Sequence, residues 1–338
     1  MPLYGGIDLH ANNSVIVLLD EQDQVIYQKR LPNQLSIILD QLAAYQADIT
    51  ALVVESTYNW YWLVDGLMEA GYRVHLANPT AIQQYSGLKY TNDDSDAKWL
   101  AHLLRLGVLP EGYIYPKEQR PLRDLLRKRG QLVDQQTSNV LSIQNIIVRN
   151  TGSRLGASKI KQLTQDEVDS LLPNDDQALA VISALRVMMC LSEQINIVEK
   201  RVQSRIKSTP LYELVKSVNG IGPILAQTIL LETGDIKRFP CVGDYVSYCR
   251  LVSNTKISNG KRKGKGNVKN GNKYLSWAYS EAAHYAIRFS PEIQRFHQRK
   301  ASKTKIPVAY RTVAHKLSRA CYHIMHDEVP FDVSKAFG

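Results

Sequence analysis

Four carboxylates stand at positions that suit divalent-metal chemistry on a phosphodiester. Asp8 closes the run Gly6-Ile7-Asp8 in an apolar stretch, Glu55 ends Leu52-Val53-Val54-Glu55, and Asp93 and Asp96 open a helical stretch. Residues three apart on a helix share a face. Gathered in one place, four such charges repel. A pair of divalent cations relieves the repulsion and can clamp the attacking and leaving oxygens of a phosphodiester. An all-oxygen donor set favours Mg²⁺ or Mn²⁺. Each acid alone has a plainer reading: a helix-start Asp is commonly an N-cap, and an acid after a strand is commonly a turn residue. Asp94 competes with Asp93, which keeps the i, i+3 spacing to Asp96.

A second constellation runs from Ser253 to Lys273 and is rich in Gly, Asn and cations. It holds Lys256, Lys261, Arg262, Lys263, Lys265, Lys269 and Lys273 with no acid. Such a loop cradles a phosphate backbone through N–H groups and positive charge. A serine within it could attack phosphorus, the cations stabilising the transition state; the plain reading is a loop that only binds. A serine hydroxyl needs activation, and this loop carries no carboxylate, so help is expected from the Asp8/Glu55/Asp93/Asp96 group in one composite site. Glu281 and His284 are weaker acid/base candidates with an ordinary helical reading. Val218-Asn219-Gly220-Ile221-Gly222-Pro223 reads as a helix, a tight glycine turn and a new helix, the helix-hairpin-helix pattern. There the backbone N–H groups at Gly220 and Gly222 suit a phosphate. Arg120, Arg123, Arg127, Lys128 and Arg129 form a basic cluster that is either a nucleic-acid contact or a solvated helix face.

The elements that must position these groups follow from periodicity. Tyr4–Leu9, Ser14–Leu19 and Val25–Arg30 read as three strands. Leu35–Tyr45 reads as a helix, Ala51–Val54 as a buried parallel strand, Tyr58–Ala70 as a helix and Tyr72–Leu76 as a strand. Asn78-Pro79 opens another helix, and Asp93–Leu106 is the last of this part. A three-strand meander followed by helix, strand, helix, strand, helix is the ribonuclease H-like (RuvC-like) plan, in which a crossover sets the fourth strand parallel beside the first. Arg120–Asn150 and Gln177–Ser208 read as long helices around a linker, Thr151–Asp176, and suggest a helical hairpin or coiled-coil arm with imperfect heptads. The expected class is α/β plus α. Residues 1–115 form the acid-bearing domain, 116–210 the long-helix arm, and 211–338 a mostly helical domain with the helix-hairpin-helix and the serine loop.

The chain has 338 residues, 44% hydrophobic and 22% charged, which excludes wholesale disorder. Cys190, Cys241, Cys249 and Cys321 are scattered, against a disulfide scaffold or a cysteine zinc module and in keeping with a reducing cytosol. No apolar run reaches the ~18–20 residues of a bilayer span, and no signal peptide is visible at the N-terminus. The net charge is +10, and it is uneven: Ile236–Met325 holds 19 Lys and Arg against 3 acids. A basic part joined to a mildly acidic remainder is the outline of a polyanion binder.

The ordered motifs resemble the DEDD transposases of bacterial insertion sequences, the group that includes the Piv-type DNA invertases and the bridge-RNA-guided recombinases. The N-terminal likeness is carried by Gly6-Ile7-Asp8, Glu55-Ser56-Thr57, Asn78-Pro79 and Asp93-Asp94-Ser95-Asp96-Ala97. The C-terminal likeness is carried by Gly220-Ile221-Gly222-Pro223, Arg238-Phe239, the Ser258 loop and Gly271-Asn272-Lys273-Tyr274-Leu275. The resemblance implies a metal site of Asp8, Glu55, Asp93 and Asp96 holding two Mg²⁺ or Mn²⁺ ions. It also implies a serine, placed at Ser258 with Ser253 as runner-up, that joins covalently to DNA during strand exchange. The implied partners are double-stranded DNA at element ends and target, a structured guide RNA, and further copies of the chain in a homodimer or homotetramer. The implied setting is the bacterial cytoplasm, on DNA and without a membrane. Two departures stand out: Tyr58 where the family often has Gly, and Asn259 between Ser258 and Gly260. The alternatives are a Holliday-junction-type endonuclease with water as nucleophile, an actin-like ATPase, and a non-catalytic DNA-binding regulator. The ATPase would need a second phosphate loop that is not found, and the regulator has no need of four convergent acids.

Overall fold

Three of the strands are buried on both faces, which is why they read as nearly unbroken apolar runs rather than alternating ones. They are β1 (Leu3–Leu9), β2 (Asn13–Leu19) and β4 (Ile49–Glu55), joined by β3 (Val25–Pro32) and β5 (Val74–Ala77) in the order β3-β2-β1-β4-β5. β1 is antiparallel to β2 and parallel to β4, and β4 is parallel to β5. This is the sheet order of the ribonuclease H-like plan. The edge strand β3 is mostly exposed and carries Gln28, Lys29 and Arg30, polar residues that discourage further strand pairing.

Helices cover both faces. α1 (Leu35–Ala43) and α2 (Tyr61–Glu69) bury Ile38, Leu42, Leu63 and Leu67 against Ile7, Leu9, Ile16, Leu52 and Val54. After the short α3 (Pro79–Ile82), α4 (Asp93–Arg105) lies on the opposite face. There Ala97 and Ala101 meet Val15, Val17 and Leu19, and Leu100 meets Val53.

The computed structural model describes residues 1–82, 93–207, 209–252, 255–265 and 269–338. It divides into two compact units, Met1–Lys117 with Lys256–Asn270, and Glu118–Thr255 with Gly271–Gly338. The second unit is helical. α5 (Arg120–Thr151) and α8 (Asp175–Ile206) flank two short helices, α6 (Ala157–Ile160) and α7 (Gln165–Leu171). These two fall inside the stretch that reads from sequence as a linker. Thr164 and Glu167 form a reciprocal capping box at the start of α7, and the pattern Thr164-x-x-Glu167 is its sequence signature.

α5 and α8 run antiparallel. Arg129 Nε donates to Glu199 Oε1 at 2.7 Å, and Gln136 Nε2 donates to Ser192 Oγ at 2.6 Å. Both pairs obey one register, a step of seven along one helix answered by a step of seven back along the other. That register sets Val140, Ile143 and Ile147 level with Met188, Leu185 and Val181, all members of one buried cluster. The heptads look imperfect in sequence because these two polar pairs occupy seam positions. α8 also contains an 18-residue window apolar enough, by length and composition, to cross a membrane. This differs from the expectation that no apolar run is long enough, because scattered polar residues interrupt the apolar stretch. One side of α8 is packed on α5, while Leu179, Val187, Met189 and Ile197 are exposed.

Beyond α8, α9 (Pro210–Lys216), α10 (Pro223–Thr233) and α11 (Val242–Tyr248) precede a hairpin of β6 (Thr255–Ser258) and β7 (Lys261–Lys265). α12 (Lys273–Phe289), α13 (Pro291–Ala301), α14 (Ile306–Asp327) and α15 (Val333–Phe337) complete the chain. α12 and α14 are the centre of the second core, which includes Ala278, Ala282, Val313 and Leu317, with Ala226 and Ile229 of α10 packed among them.

Candidate functional site

Asp8 and Glu55 come to one edge and one face of the sheet. In the parallel pairing of β1 with β4, Gly6 faces Val53 and Ile7 faces Val54, so the next residues, Asp8 and Glu55, are neighbours. Alternation along a strand puts Asp8 on the side of Gly6 and Glu55 on the side of Val53, and this is the side that α4 covers. Gly6 is required there. A Cβ on it would lie 2.0 Å from the Ala97 carbonyl oxygen and 2.7 Å from the Ala101 nitrogen. The close approach brings the first turn of α4, with Asp96 directly before Ala97, onto the strand that carries Asp8. The other end of α4 is pinned by Asp23, which accepts from Arg105 Nε at 2.8 Å and Nη2 at 2.6 Å and lies 2.9 Å from His102 Nδ1. Burial would raise the Asp23 pKa, but the bonds to Arg105 and His102 outweigh it and hold the carboxyl below its ordinary value.

Asp8 is 4% exposed, and its Oδ2 lies 3.3 Å from His10 Nε2. His10 is a neighbour of Asp8 that the motifs alone do not single out; its spacing of two from Asp8 near a strand end is the available signal. Asp93 begins α4, but its carboxylate and that of Asp94 lie outside the described side chains. Among the described residues no three His, Cys, Asp or Glu side chains are gathered as a metal site. The donor set still fits a hard divalent cation, because a buried carboxylate at a shared sheet edge with a second one is stabilised by a positive ion.

Ser258 is exposed at the end of β6. Asn259 (φ 49°) and Gly260 (φ 69°) form a two-residue turn in which both central residues have positive φ. Asn-Gly is the strongest short-range hairpin signal, so the intervening Asn259 has a geometric reason. Lys261, Lys263 and Lys269 are exposed, whereas Ser253 and the side chains of Lys256, Arg262 and Lys265 lie outside the described set. The hairpin segment groups with the N-terminal unit. Asn78 Nδ2 donates to Asn270 Oδ1 at 3.3 Å. Asn78 follows Ala77, which pairs with Glu55, so Asn270, in the segment that follows β7, touches the end of the sheet where the acids lie.

The arginines at the start of α5 are placed differently from a solvent-facing patch. Arg120 and Arg123 are 4% and 8% exposed. Arg127 makes a bidentate pair with Glu232 at 2.6 and 2.7 Å, and Arg129 is engaged by Glu199. Burial alone would lower the Arg127 pKa, but the bonds and charge of Glu232 outweigh it and raise it. The reason for the difference is that α5 starts inside the helical core. Only Lys128 of this cluster is exposed. Glu232, its buried counter-charge, has a single sequence signal: it is the one charged residue in Pro223–Thr233. Its carboxylate accepts from Asn272 Nδ2 at 2.7 Å, while Asn272 Oδ1 caps α12 by accepting from Tyr274 N and Leu275 N.

Gly220 has φ +88°, and a Cβ on it would meet the Ala282 carbonyl oxygen at 2.3 Å, so its first role is close packing on α12. Gly222 is exposed and N-caps α10. Lys273 is exposed. His284 packs against Tyr310 in a tilted arrangement, with ring centroids 4.3 Å apart.

Residues 5–181 match the family model of the DEDD transposases of the IS110 type, described as a transposase. Residues 212–298 match the model described as transposase of the IS116/IS110/IS902 family. An uncharacterized 43.6 kDa protein of insertion element IS110 from Streptomyces coelicolor is 24% identical over 141 residues, covering 41% of this chain and 35% of its own length. A probable family 20 transposase from Pseudomonas aeruginosa is 22% identical over 236 residues, 68% of each chain. The chain thus spans about one third of the first relative and two thirds of the second.

Proposed function

The chain belongs to the IS110 family of DEDD transposases, and on that basis we propose that it exchanges DNA strands through a site shared by the acid-bearing sheet edge and the Ser258 hairpin. The observation that supports this reading is that the segment Lys256–Asn270 groups with the acid-bearing unit, with Asn270 bonded to Asn78 beside the end of the sheet where Asp8 and Glu55 lie. Asp8, Glu55, Asp93 and Asp96 would hold Mg²⁺ or Mn²⁺, ions that, when bound, supply Lewis-acid polarisation of a scissile phosphate. Ser258 Oγ forms the new bond to phosphorus while the bond from phosphorus to the 3′-oxygen breaks; the 3′-oxygen leaves protonated as a hydroxyl. The phosphoserine ester stores the bond energy, and a 3′-hydroxyl from the second duplex reverses the step, releasing Ser258. Lys261, Lys263, Lys269 and Lys273, with Lys256, Arg262 and Lys265, hold the DNA backbone. Gly220 and Gly222 form the turn of a helix-hairpin-helix whose N–H groups at the start of α10 face a phosphate.

The division of labour follows the sequence segments: 1–115 carries the acids, 116–210 forms an antiparallel coiled-coil arm, and 211–338 supplies the serine hairpin and the helix-hairpin-helix. Exchange between two duplexes requires at least two active sites, so the working form is a homodimer or homotetramer on double-stranded DNA. The exposed apolar residues of α8 offer an assembly surface, and a structured guide RNA selects the sites. The test is a nicked DNA substrate that traps the covalent adduct. The wild-type chain and an Asp8→Asn variant should both bind the DNA, only the wild type should form an adduct, and peptide mapping should place it on Ser258. Ser258→Ala should bind without forming one. Efficient strand exchange by Ser258→Ala would overturn the serine mechanism in favour of the water-using endonuclease.

A further inference from the structure

A cavity of about 640 Å³ lies between α5, α10 and α12. The Arg127–Glu232 ion pair lines it, and the Arg127 guanidinium sits 4.5 Å over the Tyr274 ring. Trp277, nearly one turn further along α12, lines the wall and is 44% exposed. Lys128 and Lys273 line it from α5 and α12, and both are exposed. Asp134 adds a carboxylate to the lining, and Ile224, two residues after the Gly222 cap of α10, contributes an apolar side chain.

Resting on the transposase reading above, we infer that this cavity receives one unpaired nucleobase of bound DNA or RNA. The volume falls in the range of small-ligand sites and admits a single base with room for its sugar. An indole left half in water is an unfavourable surface unless something stacks on it, and every base offers a π-face. The exposed lysines suit the phosphates on either side of the base. Asp134, an acceptor only, suits an exocyclic amino group. A base still paired within a duplex cannot reach into a cavity, so the occupant is a bulged, looped or flipped nucleotide. Exposed aromatic rings continue along the outer side of α12 at Tyr285 and Phe289, with the Arg288 guanidinium 5.2 Å over the Phe289 ring. Aromatic rings alternating with cations are the surface that single strands use, and this helix lies within the segment that carries 19 Lys and Arg against 3 acids.

The experiment compares the full chain with Trp277→Ala and Trp277→Phe on two probes. One is a fully paired duplex; the other is the same duplex with a single bulged 2-aminopurine, prepared as DNA and as RNA. The wild type should quench the 2-aminopurine fluorescence and bind the bulged probe more tightly than the paired one, by roughly five- to 150-fold, the span expected of one base–aromatic stack. Trp277→Ala should lose that preference while its affinity for the paired duplex stays within about twofold, and Trp277→Phe should retain most of it. The nucleic acid on which the preference appears, DNA or RNA, identifies the source of the base. Equal weakening on both probes, or a wild type without preference, overturns the inference. A wild type that forms the Ser258 adduct yet shows no preference loses only this cavity. A wild type that binds neither nucleic acid loses the transposase reading as well.

Discussion

Asp8 and Glu232 are both buried acids, and they serve different ends. Asp8 ends a buried strand at an open sheet edge, beside His10 and the start of α4. Glu232 is 2% exposed deep in the second core, where it accepts from Arg127 and Asn272 together. Through Asn272, which caps α12, Glu232 holds the start of the helix that follows the serine hairpin. Removing the Glu232 charge leaves the partly exposed Arg127 guanidinium without its bidentate partner. Glu232→Gln should therefore destabilise the chain by about 2 kcal/mol, read as a drop in Tm. The double variant Arg127→Met with Glu232→Gln should recover part of the loss, because no lone cation then remains. A single variant as stable as the wild type would show that the pair carries no structural load.

At the scale of elements, the decisive approach is that of α4 to β1. α4 is slightly polar on average and would be an ordinary surface helix, yet its Ala97 and Ala101 backbone sits directly on Gly6. Two alanines facing a glycine allow an approach that larger residues forbid. Gly6→Val should force α4 away from the sheet and carry the acids of its first turn with it. The expected cost is about 3 kcal/mol, at the upper end of overpacking a close-packed site, together with loss of adduct formation while duplex binding by the C-terminal lysines persists. Measuring denaturation midpoint and adduct yield on the same preparation checks both; normal adduct yield would show that α4 does not need this approach. In α5 and α8 the same scale explains why the repeat looks irregular: Arg129–Glu199 and Gln136–Ser192 occupy seam layers as complementary polar pairs. Such layers specify register at some cost in stability.

For the whole molecule, charge segregation predicts the mode of binding. The segment Ile236–Met325 carries 19 Lys and Arg against 3 acids, while the full chain is only +10. Association with DNA should weaken steeply with salt because neutralised phosphates release counterions. Replacing Lys261, Lys263 and Lys269 together by Gln should flatten the slope of log K against log salt by about 0.9 for each phosphate that is no longer neutralised. Filter-binding titrations from low to moderate salt measure this, and an unchanged slope would remove these lysines from the DNA interface.

Much of this protein is legible without coordinates because periodicity and turn chemistry are local physics. The buried strands, the long helices, the Gly-rich turn at Gly220 and the uneven charge all follow from residue types at fixed spacings, and the joint order of motifs identifies the family. Register and burial depend instead on partners far apart in the chain. Arg120 and Arg123 look like part of a surface cluster until α5 is seen to begin inside a core. Thr164-x-x-Glu167 is readable as a cap, but the glycines and proline around it make the whole stretch look like a loop. The hairpin segment Lys256–Asn270 groups with the N-terminal unit, and Asn270 meets Asn78 across 192 residues. The lack of a carboxylate in the loop suggests that it needs the acids, but no local pattern specifies the Asn78–Asn270 contact. Local interactions choose the elements; only the packing of distant side chains decides which charges are buried in pairs and which are left facing solvent.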